Sequence, residues 1–373
     1  MRPRLAPPPF LWLYLHTMTI FNDNAIGALE FTVTWQQDDA IHEEQYLGRK
    51  FNPVHDVFPQ GMREALEGKR AEESVTISYE PRMCIPRHRE NLVQTMDLDR
   101  LRPKTLKGDP IIPRVGRFYP QGHISGLLNI YPDTLTPFRL TELDEHTFTS
   151  DRNHPLANIP VTISARIQYM EDRSTGTYGS LTHWRERICD WGPGMQARLD
   201  DEPTDFFHPA FFDRKCRLDE NFLPPAPDAA ARRNIDQTLA RFIEKGSRVL
   251  DFSVGTERPA GQYDAAVCTC SVEYMDRPVD ILRFVAHYLP PGAPMLLAFT
   301  SAYDPARAIR GWQELHEFER MGLVLEYLRM AGMGQDLGTV SIRNDWRDRD
   351  DPCFLAAKGI SDPVYIVYGR KPE

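Results

Sequence analysis

Long apolar runs are missing from this 373-residue chain, and nowhere does it offer the about 20 consecutive apolar residues that a membrane-spanning helix needs. The one short apolar stretch near the start, residues 10–15 after Pro7-Pro8-Pro9, lacks the length and the small-residue cleavage site of a secretory leader. Met18 is a candidate translation start, because the first convincing strand follows it closely. Cysteine is scarce and irregular. Cys84, Cys189, Cys216, Cys268, Cys270 and Cys353 show none of the dense spacing of a secreted disulfide scaffold, so a reducing, cytoplasmic setting is expected. Cys268-Thr269-Cys270 has no second pair and no spaced histidines, so it reads as strand, and no metal site is expected. Positive charge is also in deficit, with 44 Lys and Arg against 53 Asp and Glu, a net charge of -9. That balance argues against a protein whose main partner is a phosphate backbone. Repeats and low-complexity tracts are absent, which removes solenoids and disordered arrays from consideration.

What remains is a chain with 41% apolar and 26% charged residues, enough to bury real cores and long enough for two domains. Residues 1–24 read as a disordered tail, 25–172 as a first domain, 173–228 as an ordered linker rich in aromatics, and 229–373 as a second domain. The first domain shows alternating strands at 28–35, 75–79 and 160–167, with one short helix over 60–68 stopped by Gly68; this is an α+β pattern. Trp184, Trp191, Phe206, Phe207, Phe211 and Phe212 serve to dock the linker on a domain. From 229 onward helices alternate with apolar strands. Helices are expected at 229–245, 278–288 and 307–333, and strands at 248–252, 263–268, 294–299, near 340 and at 363–368, the arrangement of an open α/β sheet with an antiparallel finish.

Three motifs in the first domain carry a family resemblance. Gly61-Met62-Arg63-Glu64-Ala65-Leu66-Glu67-Gly68, then Arg89-Glu90-Asn91-Leu92-Val93, then Asn153-His154-Pro155-Leu156-Ala157 resemble the ordered signatures of SlyD-like FKBP-type prolyl isomerases. The resemblance implies an FKBP-like half-barrel, a peptidyl-prolyl cis-trans isomerase or chaperone activity, and proline-containing peptides or unfolded protein segments as partners. Such proteins carry an inserted chaperone flap after the segment matching Asn91-Leu92-Val93. The corresponding residues, 116–139, are open to two readings, a peptide-contacting flap or a plain barrel edge. The histidine-rich tail of some relatives has no counterpart in Gly369-Arg370-Lys371-Pro372-Glu373, which disfavours nickel delivery.

Rotation about a prolyl amide crosses a barrier of ~18–20 kcal/mol and needs no nucleophile or metal, only an apolar cup that desolvates the bond. By the resemblance the cup falls at Glu43, Phe58, Met62, Ile85 and Ile163. Thr32 and Ile85 stand where the family places tyrosines, and His42-Glu43 where it places a phenylalanine–aspartate pair, so the expected isomerase activity is weak. The plainer reading of Phe58, Met62 and Ile163 is that they fill a barrel core.

The second domain resembles a shortened class I methyltransferase. The resemblance begins at Gly192-Pro193-Gly194-Met195-Gln196-Ala197-Arg198 and Pro203-Thr204-Asp205-Phe206-Phe207. It runs on through Tyr263-Asp264-Ala265-Ala266-Val267-Cys268, Ser271-Val272-Glu273-Tyr274-Met275 and Phe318-Glu319-Arg320-Met321-Gly322-Leu323-Val324-Leu325. It implies a Rossmann-like fold, with Asp251, Gly255 and Glu273 as the residues left to face S-adenosylmethionine. Only residues 256–262 separate the first strand from the one resembling the fourth. A strand–helix–strand unit takes about 30 residues, so strands two and three and the acid that would hold the ribose are missing, and no cofactor is expected. Three functional readings stand: a prolyl isomerase or peptide-binding folding helper whose degenerate methyltransferase-like half meets a protein partner; a methyltransferase that recruits substrate through its first half; and a non-catalytic scaffold.

Overall fold

The computed structural model of the chain describes residues 20–105, 108–172, 179, 181–198, 209–219, 221–254, 256 and 259–373. The expected tail lies mostly outside the described residues. Its end does not: Phe21 is fully buried, and its backbone bonds to Gly68 and Lys69.

Strands β1 (Ala25–Gln37) and β2 (Ala40–Phe51) form a hairpin closed by Asp38 and Asp39, with Asp38 at φ 55 in the left-handed region. Helix α1 (Met62–Leu66) and β3 (Ser74–Tyr79) follow. The chain then leaves this layer to build a separate sheet from β4 (Val93–Asp97), β5 (Phe118–Pro120), β6 (Pro137–Leu143) and β7 (Thr147–Asp151), in the order β4-β7-β6-β5. This sheet has its own core of Met96, Leu101, Tyr119, Ile124, Phe138, Leu140 and Phe148. Residues 116–139 therefore lie in this separate four-stranded sheet, the flap, and span β5, the loop after it and the start of β6. The chain returns through Asn153, whose side chain binds the Arg89 backbone at both ends and fixes the flap's two connections side by side. Strand β8 (Val161–Asp172) then pairs with β1 and β3.

Beyond β8, helix α2 (Trp184–Ile188) packs Trp184 and Ile188 into the first core, while Phe222 packs into the second. The linker thus docks as expected, although Phe206 and Phe207 lie outside the described residues and Trp191 stays 42% exposed. Helix α3 (Ala229–Leu239) is capped by Asp228, which accepts from the Ala230 and Ala231 amides. Strand β9 (Val249–Asp251), β10 (Ala265–Thr269), α4 (Pro278–Ala286) and β11 (Pro294–Thr300) follow. The long helix expected at 307–333 is two, α5 (Arg310–Glu314) and α6 (Glu317–Met330). They are separated because His316 takes the extended N-cap geometry of α6 and forms a capping box with Glu319. Strands β12 (Gln335–Arg343) and β13 (Val364–Arg370) end the fold.

The C-terminal strands are ordered β12-β13-β11-β10-β9, with β9, β10 and β11 parallel and β13 antiparallel to both its neighbours. The sheet does not stop at β12. β2 pairs with β12 in parallel from Ala40–Leu337 to Tyr46–Arg343, so both halves share one nine-stranded sheet, β3-β8-β1-β2-β12-β13-β11-β10-β9. The molecule is thus mixed α and β, with large sheets and few helices, and the expected boundary between two domains is crossed by a strand pair. On one face of that seam His42 meets Thr339 at 2.8 Å and Glu44 meets Ser341 and Arg343. Burial drives the His42 imidazole down to about 3, so it is neutral at any ordinary pH. Gly338 sits where a Cβ would strike the Tyr368 hydroxyl at 2.3 Å and the Ile41 carbonyl at 2.7 Å, so the seam admits no side chain there.

Candidate functional site

Because successive side chains on a strand point to opposite faces, register decides which residues can meet. Val33 pairs with Ile163 and with Glu44, so Val33, Ile163 and Glu44 share one face, together with Phe31 and Trp35. Met62, Ile85 and Ile163 are buried on that face in one apolar cluster, with Phe58 packed against it. Four of the five expected cup residues are therefore brought together. The fifth is not. Glu43 and Thr32 lie on the opposite face of the sheet, one residue out of step with the cup, and Glu43 is held there in a two-pronged ion pair with Arg241, both bonds 2.8 Å. A step of one residue along a strand exchanges the faces, so Glu43 points away from the cluster that its neighbour Glu44 shares a face with.

The residues that fill the cup face instead are Phe31, Trp35, Tyr79 and Trp184. Tyr79 spends its hydroxyl on the Gln60 carbonyl at 2.7 Å, and burial pushes that phenol up to about 12. Trp184 arrives from beyond β8, since Val57 donates to the Thr182 carbonyl at 2.7 Å and Trp184 donates to the Val57 carbonyl at 3.1 Å. Trp35 and Phe31 were visible in the sequence as alternate residues of the first strand; nothing local marked Trp184 as belonging to this core. With Met62 and Ile163 fully buried and Ile85 3% exposed, the face is a packed interior.

The second candidate lies at the C-terminal ends of the parallel strands, where open α/β sheets bind ligands. Asp251 ends β9 and is exposed, but its carboxylate accepts from both the amide and the hydroxyl of Ser253. The Ser253 hydroxyl in turn accepts from the Thr269 amide, and the Ser271 hydroxyl accepts from the Val254 amide. The turn after β9 is thereby tied down on the end of β10 at 2.8–2.9 Å. Gly255 lies outside the described residues. Glu273 sits in a single helical turn just past β10, is fully buried, and neither carboxyl oxygen has a hydrogen-bond partner among the described residues. Burial pushes its carboxyl up to about 8, held back in part by the Arg320 charge. Asp251 and Glu273 are thus not a pair facing a common cavity: one is exposed and satisfied, the other sealed. Cys268 and Cys270 are buried and unpaired, and Cys270 has left the strand at φ 48, so the alternation expected of the pair breaks. No group of three or more His, Cys, Asp or Glu among the described residues is placed to hold a metal ion.

The third feature is the flap. Its loop from 121 to 136, between β5 and β6, carries Leu128 at 88%, Tyr131 at 66% and Leu135 at 55% exposure. The loop is not loose: Gln121 and Gly122 donate to the Thr136 and Thr134 carbonyls, and the Thr134 hydroxyl accepts from the Tyr131 amide. A cleft of about 540 Å³ beside β4 is lined by Gln94, Thr95, Arg100, Gly126, Leu128 and Arg152. A smaller one of about 230 Å³ lies against α3, lined among others by Glu30, Gln45, Arg166, Gln237, Arg241 and Asp345. Neither cleft touches the cup or the ends of β9 and β10. No helix among the described residues is long and apolar enough to cross a membrane. No protein-family model and no curated protein matches this chain.

Proposed function

We propose that the protein is a cytoplasmic folding helper that holds extended, proline-containing or unfolded segments on its flap, with weak prolyl isomerase activity and a methyltransferase-like half that takes no cofactor. The observation that carries this reading is the concentration of exposed large apolar side chains on one short, hydrogen-bonded loop. Leu128, Tyr131 and Leu135 project from 121–136 in a chain that packs its other candidate site solid. In support of a SlyD-like FKBP-type half stand the antiparallel layer around α1, the inserted four-stranded flap, and the Asn153 bridge at its base. In support of the shortened methyltransferase stand β9 and β10 as parallel neighbours and the antiparallel β13 lying between β11 and β12. Isomerisation requires a desolvated cup that a peptide can enter; here Met62, Ile85 and Ile163 are already covered, so holding outweighs catalysis.

The test is binding of a permanently unfolded, carboxymethylated protein, followed by fluorescence anisotropy. Full burial of a leucine-sized side chain is worth about 1.5–3 kcal/mol, and partial burial of three such groups makes a weakening of roughly 10- to 100-fold the expected result for Leu128→Ser/Tyr131→Ser/Leu135→Ser. Unchanged affinity in that variant would sink the reading. For the cofactor, titration of the whole chain with S-adenosylmethionine is expected to give a dissociation constant weaker than about 10 μM, or roughly -7 kcal/mol, because the Val254 amide and the Ser253 hydroxyl in the turn after β9 are already bonded to the end of β10. Tighter binding would reinstate the methyltransferase reading.

A further inference from the structure

From the way the flap is gripped, we infer that the C-terminal half is a rigid mount for the stem of the flap's apolar loop, and that this mount sets how well the loop holds a client. The inference rests on the functional reading above for the client, and on geometry alone for the mount.

The stem of the loop is the pair Phe118 and Arg139, which face each other across β5 and β6, with the Arg139 guanidinium 4.7 Å from the Phe118 ring centre. Both strands of this stem are seized from outside the flap. On β5, one carboxylate oxygen of Glu319, in the first turn of α6, accepts from the Phe118 amide at 2.9 Å and from Arg117 Nε at 2.9 Å. Arg117 also donates to the Glu314 carbonyl at 3.2 Å, and the Phe118 side chain joins the core that contains Met195 and Phe318. On β6, Arg139 donates to the Ala197 carbonyl. The segment supplying that carbonyl cannot move far: a Cβ at Gly322 of α6 would meet the Gln196 carbonyl oxygen at 2.8 Å, and one at Gly192 would meet the Phe318 ring at 2.4 Å.

The side chains of Arg117 and Glu319 are 0% and 2% exposed, so this is an ion pair taken fully out of water. Such pairs add little net stability over an apolar pair of the same size, yet removing one partner alone leaves a charge stranded and is strongly unfavourable. Their use is to fix one arrangement. Here the arrangement fixed is the register of the loop's stem on α6. A loop held in one pose loses less conformational freedom when it takes up a segment, which is how preorganisation raises affinity.

The experiment uses the full chain. Arg117→Ala is expected to raise amide hydrogen exchange in 117–140 at least 10-fold, leaving β1, β2 and β8 at the original rate, and to weaken client binding at least fivefold without touching Leu128, Tyr131 or Leu135. Arg117→Met/Glu319→Gln, which removes both charges and keeps a side-chain oxygen for the Phe118 amide, is expected to restore most of both. Should the alanine variant not fold, the double variant and Arg117→Lys carry the comparison, the lysine lacking the Nε bond and exchanging at an intermediate rate. Flap exchange unchanged in a folded variant overturns the mount. Raised exchange with unchanged client affinity overturns its role in holding clients. Unchanged affinity in the Leu128, Tyr131, Leu135 variant strikes the functional reading instead, and leaves the exchange result standing on its own.

Discussion

Replacing Glu273 by glutamine is expected to make the protein markedly more resistant to denaturant at pH 8.5 and no different at pH 4. Glu273 is completely buried beside Cys268 and Cys270, with Arg320 the charge that tempers it, and neither carboxyl oxygen finds a hydrogen-bond partner among the described residues. Its folded-state carboxyl is raised from 4.5 to about 8. The sign follows from proton binding. Between those two values the unfolded chain has released the proton and the folded chain still holds it, so folding is opposed more with each unit of pH. Below pH 4.5 both states are protonated and the penalty vanishes; above about 8 it is complete. At 1.36 kcal/mol per unit the loss is on the order of 5 kcal/mol. Glutamine has the same shape and never ionises, so the difference between the two proteins isolates this one group while every other titration cancels. Urea midpoints measured at pH 4, 6 and 8.5 should diverge steadily in favour of Glu273→Gln. Parallel profiles would mean that the carboxyl is solvated or paired in the folded state.

Glu273 also shows where sequence reasoning reaches and where it stops. Its place at the end of an apolar strand, in Ser271-Val272-Glu273-Tyr274, was legible, and so were most strands and helices, because period-two and period-3.6 patterns are local. The strand at 160–167 appears as β8, running on to Asp172, and the helix at 60–68 as α1 over Met62–Leu66. The break between α5 and α6 was missed because a histidine cap gives a weaker signal than proline or glycine. What period cannot give is the partner of a strand. Nothing within β2 announces that β12, some 300 residues further along the chain, lies beside it, and so the two halves read as separate domains. The same blindness hid Arg117 opposite Glu319. It also let Glu43 be set in the cup: the residue type suited, but only register shows that its side chain leaves by the other face.

Cutting the seam between the halves should have the other large effect. At its centre Glu44 is fully buried, with one carboxylate oxygen bonded to the Ser341 hydroxyl and the other to Arg343, which also donates to the Ile188 carbonyl at 2.7 Å. The Arg343 guanidinium stacks 5.0 Å from the Phe318 ring centre, so it ties β2, β12, α6 and the α2 segment at one point. Arg343→Ala leaves the Glu44 carboxylate stranded, and breaking a buried pair from one side costs about 3–5 kcal/mol. The cost should depend on pH in a set direction. Burial already holds Glu44 up at about 6 against the charge of Arg343; without that charge the carboxyl rises further, so the folded variant keeps a proton that its unfolded chain gives up over a wider span. The deficit is therefore smaller at pH 5 than at pH 8. Because the nine-stranded sheet is continuous only through β2 and β12, the unaltered protein is expected to unfold in one calorimetric transition and Arg343→Ala in two. Glu44→Gln/Arg343→Met, which removes both charges and keeps the Ser341 bond available, should return most of the loss and the single transition. A loss below about 1 kcal/mol in Arg343→Ala, the scale of an exposed ion pair, would show that water reaches this seam and that the two halves fold independently of it.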